Sequence, residues 1–211
     1  MVRFFWDQRG FTIAELLVAA LFGMIVVATL YGFFRDQLFY LLSQETKTST
    51  LEDARGALDM MVRELRNAGS WGTGTAPSGC SRVVSASASS IRIQADLNGD
   101  GDCHNGVPET DTDETGEDVT YDLGSATSTC PGSIIRRNGN CLVANVVIPT
   151  GSSLFAYYDS SNTQLSSSPT VTSIKRVKIT FSVQVPEPTP EGKAAGRNIT
   201  STLSSSVEFR N

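Results

Sequence analysis

A run of 24 residues from Phe11 to Phe34 holds only one ionisable side chain besides Tyr31, the carboxylate of Glu15. At about 1.5 Å of rise per residue the run would span roughly 36 Å as a helix, enough to cross a hydrocarbon core of about 30 Å. That excludes an ordinary cytosolic domain. Before the run stand Met1 to Gly10, where Arg3 and Arg9 outweigh Asp7, a net-positive leader of the kind that stays cytoplasmic while the rest is exported. The run ends in Phe33-Phe34-Arg35-Asp36-Gln37. A secretory signal peptide has a shorter apolar region and a small-residue A-x-A cleavage site, so ordinary signal-peptide cleavage is not expected.

Glu15 is the anomaly, because a carboxylate at the centre of a spanning helix costs about 2.5 to 3.5 kcal/mol on insertion scales. It can lie near the headgroups and snorkel, being only one and a half turns into the run, or it can find an opposite charge that makes its burial tolerable. The surrounding residues, Arg9-Gly10-Phe11-Thr12-Ile13-Ala14-Glu15-Leu16-Leu17, closely resemble the processing site of type IV prepilins and type II secretion pseudopilins. The resemblance implies cleavage between Gly10 and Phe11 by a prepilin peptidase and N-methylation of Phe11. It also implies that Glu15 neutralises the terminal amine of a neighbouring subunit during assembly. The implied partners are other pilin subunits through the N-terminal helix, together with the inner-membrane assembly machinery. The implied location is the bacterial inner membrane with the head outside the cytoplasm, then a surface pilus or periplasmic filament. Many major pilins of that family carry a proline near the position of Gly32, from which this sequence departs; a local unwinding there on assembly stays open.

No proline occurs between Met1 and Ala76, so the spanning segment is expected to continue as one helix into the exported region. Leu51, Ala54, Leu58, Met61, Leu65 and Ala68 recur at gaps of three and four, with charged residues such as Glu52, Arg55, Asp59, Arg63 and Glu64 on other faces. The pattern is that of an amphipathic helix with one stripe under a head, a coiled-coil dimer being the alternative. Gly69 is the expected C-terminal cap. The division is then 1–10 leader, 11–34 membrane or filament-core helix, 35–69 amphipathic helix and 70–211 head.

Beyond Ala76 the chain turns to Ser, Thr, Gly and β-branched residues, which reads as an all-β head and an α+β protein overall. Strands are expected at Ile91 to Ala95, Val119 to Leu123, Ser133 to Arg137, Cys141 to Ile148, Leu154 to Tyr158, Ile174 to Val185 and Thr200 to Phe209, with Asn138-Gly139 as a hairpin turn. Val177, Ile179, Phe181, Val183 and Val185 alternate with polar residues, as in a sheet with one face on the helix, and Pro186 should end that strand. Lys175, Arg176 and Lys178 read as a solvated strand face. A net charge of −5 argues against nucleic acid as a partner. The four cysteines are expected to form two disulfides. Cys80 with Cys103 and Cys130 with Cys141 is the most economical of three possible connectivities.

Between Ile93 and Ile135 there is no Lys or Arg, while ten of the chain's 22 acidic residues fall there. The stretch Asp96-Leu97-Asn98-Gly99-Asp100-Gly101-Asp102 has alternating oxygen ligands and turn glycines, like the first half of an EF-hand loop. The second half fails, because Val107 stands where that loop needs Glu. The expected ion is calcium, held by Asp96, Asn98, Asp100 and the Asp102 backbone carbonyl and completed by Glu117 or Asp118, against the alternative of a solvated acidic loop. His104 is the only histidine, so neither a triad nor a histidine-rich zinc site can be assembled and no enzyme is expected.

The helix end DMMVRELRNAG and the passage from DLNGDGD to EDVTYDL look most like PilW-like minor pilins, with the J-type minor pseudopilin of type II secretion a close second. Retention of Glu15 weighs against the K-type pseudopilin, which lacks that acid. The resemblance thus implies a low-abundance, non-catalytic filament subunit contributing to assembly or priming. A single-pass, calcium-dependent binding module that never polymerises, or an anchored hydrolase, are the alternatives.

Overall fold

The computed structural model describes residues 12–72, 74–103, 116–187 and 195–209. The protein is α+β, one long N-terminal apolar helix followed by two antiparallel sheets. Helix α1, Ile13–Asn67, is 55 residues of unbroken helix, roughly 82 Å at 1.5 Å per residue. Gly23, Gly32 and Gly56 lie within it without interrupting it, because glycine only weakens a helix by about 1 kcal/mol, whereas proline breaks its hydrogen-bond ladder. Every residue from Thr12 to Leu38 is exposed.

The second half of α1 behaves differently. Ala54, Ala57, Leu58, Met61, Leu65 and Ala68 are buried, with Leu51 and Val62 packed at the margin, so the stripe read from periodicity is the helix's contribution to the head core. Ala68 caps the helix with its N–H on the Glu64 carbonyl at 2.9 Å. Gly69 follows at φ +76°, and a Cβ there would stand 2.9 Å from the Arg82 side chain. Its own N–H reaches the Gln94 carbonyl at 2.9 Å, which stitches the end of the helix to the sheet.

The first sheet is a meander of β1 (Val83–Ala86), β2 (Ser90–Gln94), β3 (Asp118–Gly124), β4 (Ile134–Arg137) and β5 (Asn140–Val143), in that spatial order. Asn138 and Gly139 turn β4 into β5 with φ of 48° and 80°, the double positive φ that a two-residue turn matched to strand twist requires. The second sheet contains β6 (Val146–Val147), β7 (Phe155–Tyr158), β8 (Arg176–Pro186) and β9 (Asn198–Glu208). Strand β9 pairs along the whole of β8, from Arg176↔Glu208 to Pro186↔Asn198. One edge of β8 is thereby filled, so β6 and β7 share the other.

Two local expectations change. The single strand expected from Cys141 to Ile148 is two strands in different sheets, divided where Asn145 takes φ 54°. A left-handed residue cannot continue a pleat, and the chain crosses from one sheet to the other there. The short strand β1 adds to those expected. The alternating residues Val177, Ile179, Phe181, Val183 and Val185 are all buried. The first four join Phe155, Tyr157, Tyr121, Ile91, Met61 and Leu65 in one core between helix and sheets.

Candidate metal centre and helix terminus

The acidic loop leaves the end of β2 and lies beside the end of α1. Ala95 N–H bonds to the Glu117 carbonyl at 2.9 Å and Asp96 N–H to the Ser70 carbonyl at 2.8 Å. The loop then coils on its own side chains. Asp96 Oδ1 accepts from Gly99 N–H at 2.6 Å, Asn98 Oδ1 from Asp100 N–H at 2.9 Å, and Asp100 Oδ1 from Asp102 N–H at 2.9 Å. Such bonds let Asx side chains replace backbone partners in a turn. Gly99 and Gly101 sit at φ 82° and 93°, conformations that glycine adopts without strain. A Cβ on Gly72 would stand 2.6 Å from the Gly99 Cα, so the chain leaving the helix runs directly against the loop.

Glu117 closes the loop from the opposite side. Its Oε1 accepts from Leu97 N–H at 2.7 Å and Asn98 N–H at 3.1 Å. Asp96 and Glu117 are each 2% exposed, yet Asp96 Oδ2 and Glu117 Oε2 are buried without a hydrogen-bond partner. Carboxylate oxygens of Asp100, Asp102 and Glu117 lie within 4.8 Å of one another. Burial pushes the Glu117 carboxyl above its ordinary range; the two backbone N–H groups oppose the shift, and the Asp100 and Asp96 charges add to it. Buried oxygens carrying charge and lacking a partner normally mark a strain reservoir, a functional group or a bound ion.

The expected ligands therefore separate. Asp96, Asn98, Asp100 and Asp102 share one loop that Glu117 closes, and the Asp102 carboxylate itself is in the cluster. Asp118 faces the other way, its Oδ1 2.8 Å from Arg92 Nε and its Oδ2 3.1 Å from Gln94 Nε2. Consecutive residues entering a strand point to opposite faces, which gives Glu117 and Asp118 different partners. Among the described residues the cluster offers only carboxylates, the donor type that suits hard cations such as calcium. Cys103, next to Asp102, is buried and bonded to Cys80; Cys130 is bonded to Cys141.

At the other end of the molecule Thr12 and Glu15 form a capping box. Glu15 N–H donates to Thr12 Oγ1 at 3.3 Å, and Glu15 Oε2 accepts from Thr12 N–H at 2.9 Å and Thr12 Oγ1 at 3.0 Å. The T-x-x-E spacing is the readable signal for this arrangement, and it gives Glu15 a partner in its own chain besides the headgroups or an opposite charge. Gly10 and Phe11 lie outside the described residues, as does His104. A third polar constellation joins α1 to the first sheet. Arg137 Nη2 meets Glu64 Oε1 at 2.9 Å and the Tyr121 hydroxyl donates to Glu64 Oε2. No short motif announces it, since its members belong to three elements.

The fold defines an α+β protein whose single long apolar helix is long enough to cross a membrane. No protein-family model, curated protein or solved structure matches the chain.

Proposed function

We propose that the chain is a minor subunit of a type IV pilus, a non-catalytic structural protein that contributes to assembly or priming. The observation that carries this reading is an apolar helix exposed in its entirety from Thr12 to Leu38, with one carboxylate, Glu15, in its first turn. An apolar surface of that extent needs a cover. Lipid supplies it before assembly, and helices of neighbouring subunits supply it in a filament. Small residues favour the second arrangement: Ala20, Gly23 and Ala28, between the larger Met24, Val27 and Tyr31, line a shallow apolar groove into which another helix can approach closely.

The Arg9 to Leu17 resemblance supports processing at the Gly10–Phe11 bond and methylation of Phe11. Cleavage there generates an amine one residue before Thr12, beside the group that already engages the Glu15 carboxylate. In the isolated chain Thr12 satisfies that carboxylate. On assembly the terminal amine of a neighbour takes over as the compensating charge, as a charge in an apolar setting demands. The head remains outside the cytoplasm, first at the inner membrane and then on the filament.

The test is the pair of wild type and Glu15→Ala in the native host. Terminal mass analysis is expected to find both cleaved after Gly10 with methylated Phe11, because the junction is unchanged. Sheared filaments are expected to contain the wild type and lack the variant. An intact Met1 in the wild type would overturn the pilin reading, and equal incorporation of the variant would overturn the pairing role of Glu15.

A further inference from the structure

We infer that the 96–102 loop and Glu117 form a calcium site, with carboxylates of Asp100, Asp102 and Glu117 as its ligands and Asp96 as an adjacent fourth charge. The inference is independent of whether the protein enters a filament. It does not rest on acidity alone: Glu117, 2% exposed, belongs to the cluster and keeps one buried oxygen without a partner. Asp96, equally buried, keeps another. Leaving a charged oxygen desolvated and unpartnered is costly, and a cation held by Glu117 removes that cost there while its charge also favours the nearby Asp96 carboxylate.

The number and type of donors favour calcium, and their spacing admits it. Two oxygens each about 2.4 Å from a common ion can be no further apart than about 4.8 Å, and calcium binds oxygens at about 2.3 to 2.6 Å. The three carboxylates fall within 4.8 Å of one another, inside that limit. Magnesium demands near-ideal octahedral geometry at about 2.0 to 2.1 Å and usually keeps its waters with only one or two carboxylates, whereas calcium accepts several carboxylates in a flexible shell. Asp100 is exposed and Asp102 half-buried, whereas Glu117 is buried, so one side of the site opens to solvent and water completes a shell of six to eight oxygens.

The position assigns the role. Asp96 N–H is bonded to the Ser70 carbonyl and Gly69 N–H to the Gln94 carbonyl, so the loop is tied to the chain just after α1. Glu117 is the residue that leads into β3, and Cys103, next to Asp102, is bridged to Cys80. An ion here clamps the loop and the entry to β3 against the end of α1, and calcium thereby controls the rigidity of that corner of the head.

The experiment uses the full chain in detergent micelles, stripped with chelator and titrated with calcium chloride, alongside thermal unfolding with calcium or chelator. One bound calcium per chain and a higher melting temperature in calcium are expected. At calcium a hundredfold above Kd the unfolding equilibrium constant should fall about a hundredfold. Glu117→Gln keeps an oxygen to accept the Leu97 and Asn98 N–H groups, and Asp100→Asn keeps one for Asp102 N–H, so both are expected to fold and to bind calcium at least tenfold more weakly. Absence of calcium binding with identical wild-type melting in both buffers would overturn the site, as would binding that both variants retain in full. Should either variant fail to fold, the wild-type titration alone decides.

Discussion

Tyr121 and Tyr157 are the largest fully buried side chains in the head, and each is buried with its hydroxyl bonded. Tyr121 donates to Glu64; Tyr157 donates to the Ser87 carbonyl at 2.7 Å. A buried hydroxyl without a partner would cost about 1 to 3 kcal/mol, which is why the polar ends matter to an apolar core. Burial raises both phenol pKa values, with the Glu64 carboxylate adding to the rise at Tyr121 and the Ser87 bond opposing it at Tyr157. The folded state thus holds these protons when the unfolded chain, with tyrosine values near 10, releases them. Stability supplied by the neutral phenols is complete below about pH 10 and is lost as the pH rises above it, by up to about 1.4 kcal/mol per pH unit for each tyrosine. Denaturant titrations at pH 9, 10 and 11 should show that fall, and Tyr157→Phe should remove one tyrosine's share of the slope. An unchanged slope in the variant would show that Tyr157 takes no part.

Between elements, the Glu64 constellation is the polar counterpart of the Met61 and Leu65 stripe. The apolar stripe gives α1 a reason to lie on the sheets but little preference for its axial position, since hydrophobic burial is non-directional. Glu64 supplies direction by receiving Arg137 from β4 and Tyr121 from β3. Arg137 and Glu64 side chains retain 24% and 21% exposure, so solvent screens the charge pair in part, while the Tyr121 hydroxyl donates to the Glu64 carboxylate. Glu64→Ala should destabilise the protein by about 1 to 3 kcal/mol, and Glu64→Gln by less, since the amide oxygen still accepts from the phenol. Urea unfolding of the three proteins checks the order. Equal stability of wild type and alanine variant would mean that the stripe alone seats the helix.

At the scale of the whole molecule the helix belongs to two environments. The stretch from Thr12 to Leu38 is fully exposed, and the buried stripe starts further along, at Ala54. A fragment beginning at Phe39 should therefore fold with a melting temperature within a few degrees of the full chain, since no buried side chain is removed and a 1 kcal/mol change moves a domain of this size by roughly 2 to 4 °C. Calorimetry of both in matched buffer decides it; a fall of 10 °C or more would show that the exposed half stabilises the head.

The long helix, the stripe on its second half and the Asn138-Gly139 hairpin follow from sequence neighbours alone. Each depends on a local rule: absence of proline, a period near 3.6, and tolerance of positive φ. The alternation in β8 was equally readable, because burying one face of a pleat writes itself into every second residue. The division between β5 and β6 was not, since nothing around Asn145 distinguishes a bulge from a crossing until a second sheet is there to receive the chain. Nor was the choice between Glu117 and Asp118. Parity places them on opposite faces of the strand, but only the loop packed against one face and Arg92 waiting on the other decide which acid meets which charge. The partners of Glu64 stand 57 and 73 residues away. Local periodicity cannot encode a contact across such a separation, because it arises only after helix and sheet have been brought together by the burial of apolar side chains common to both.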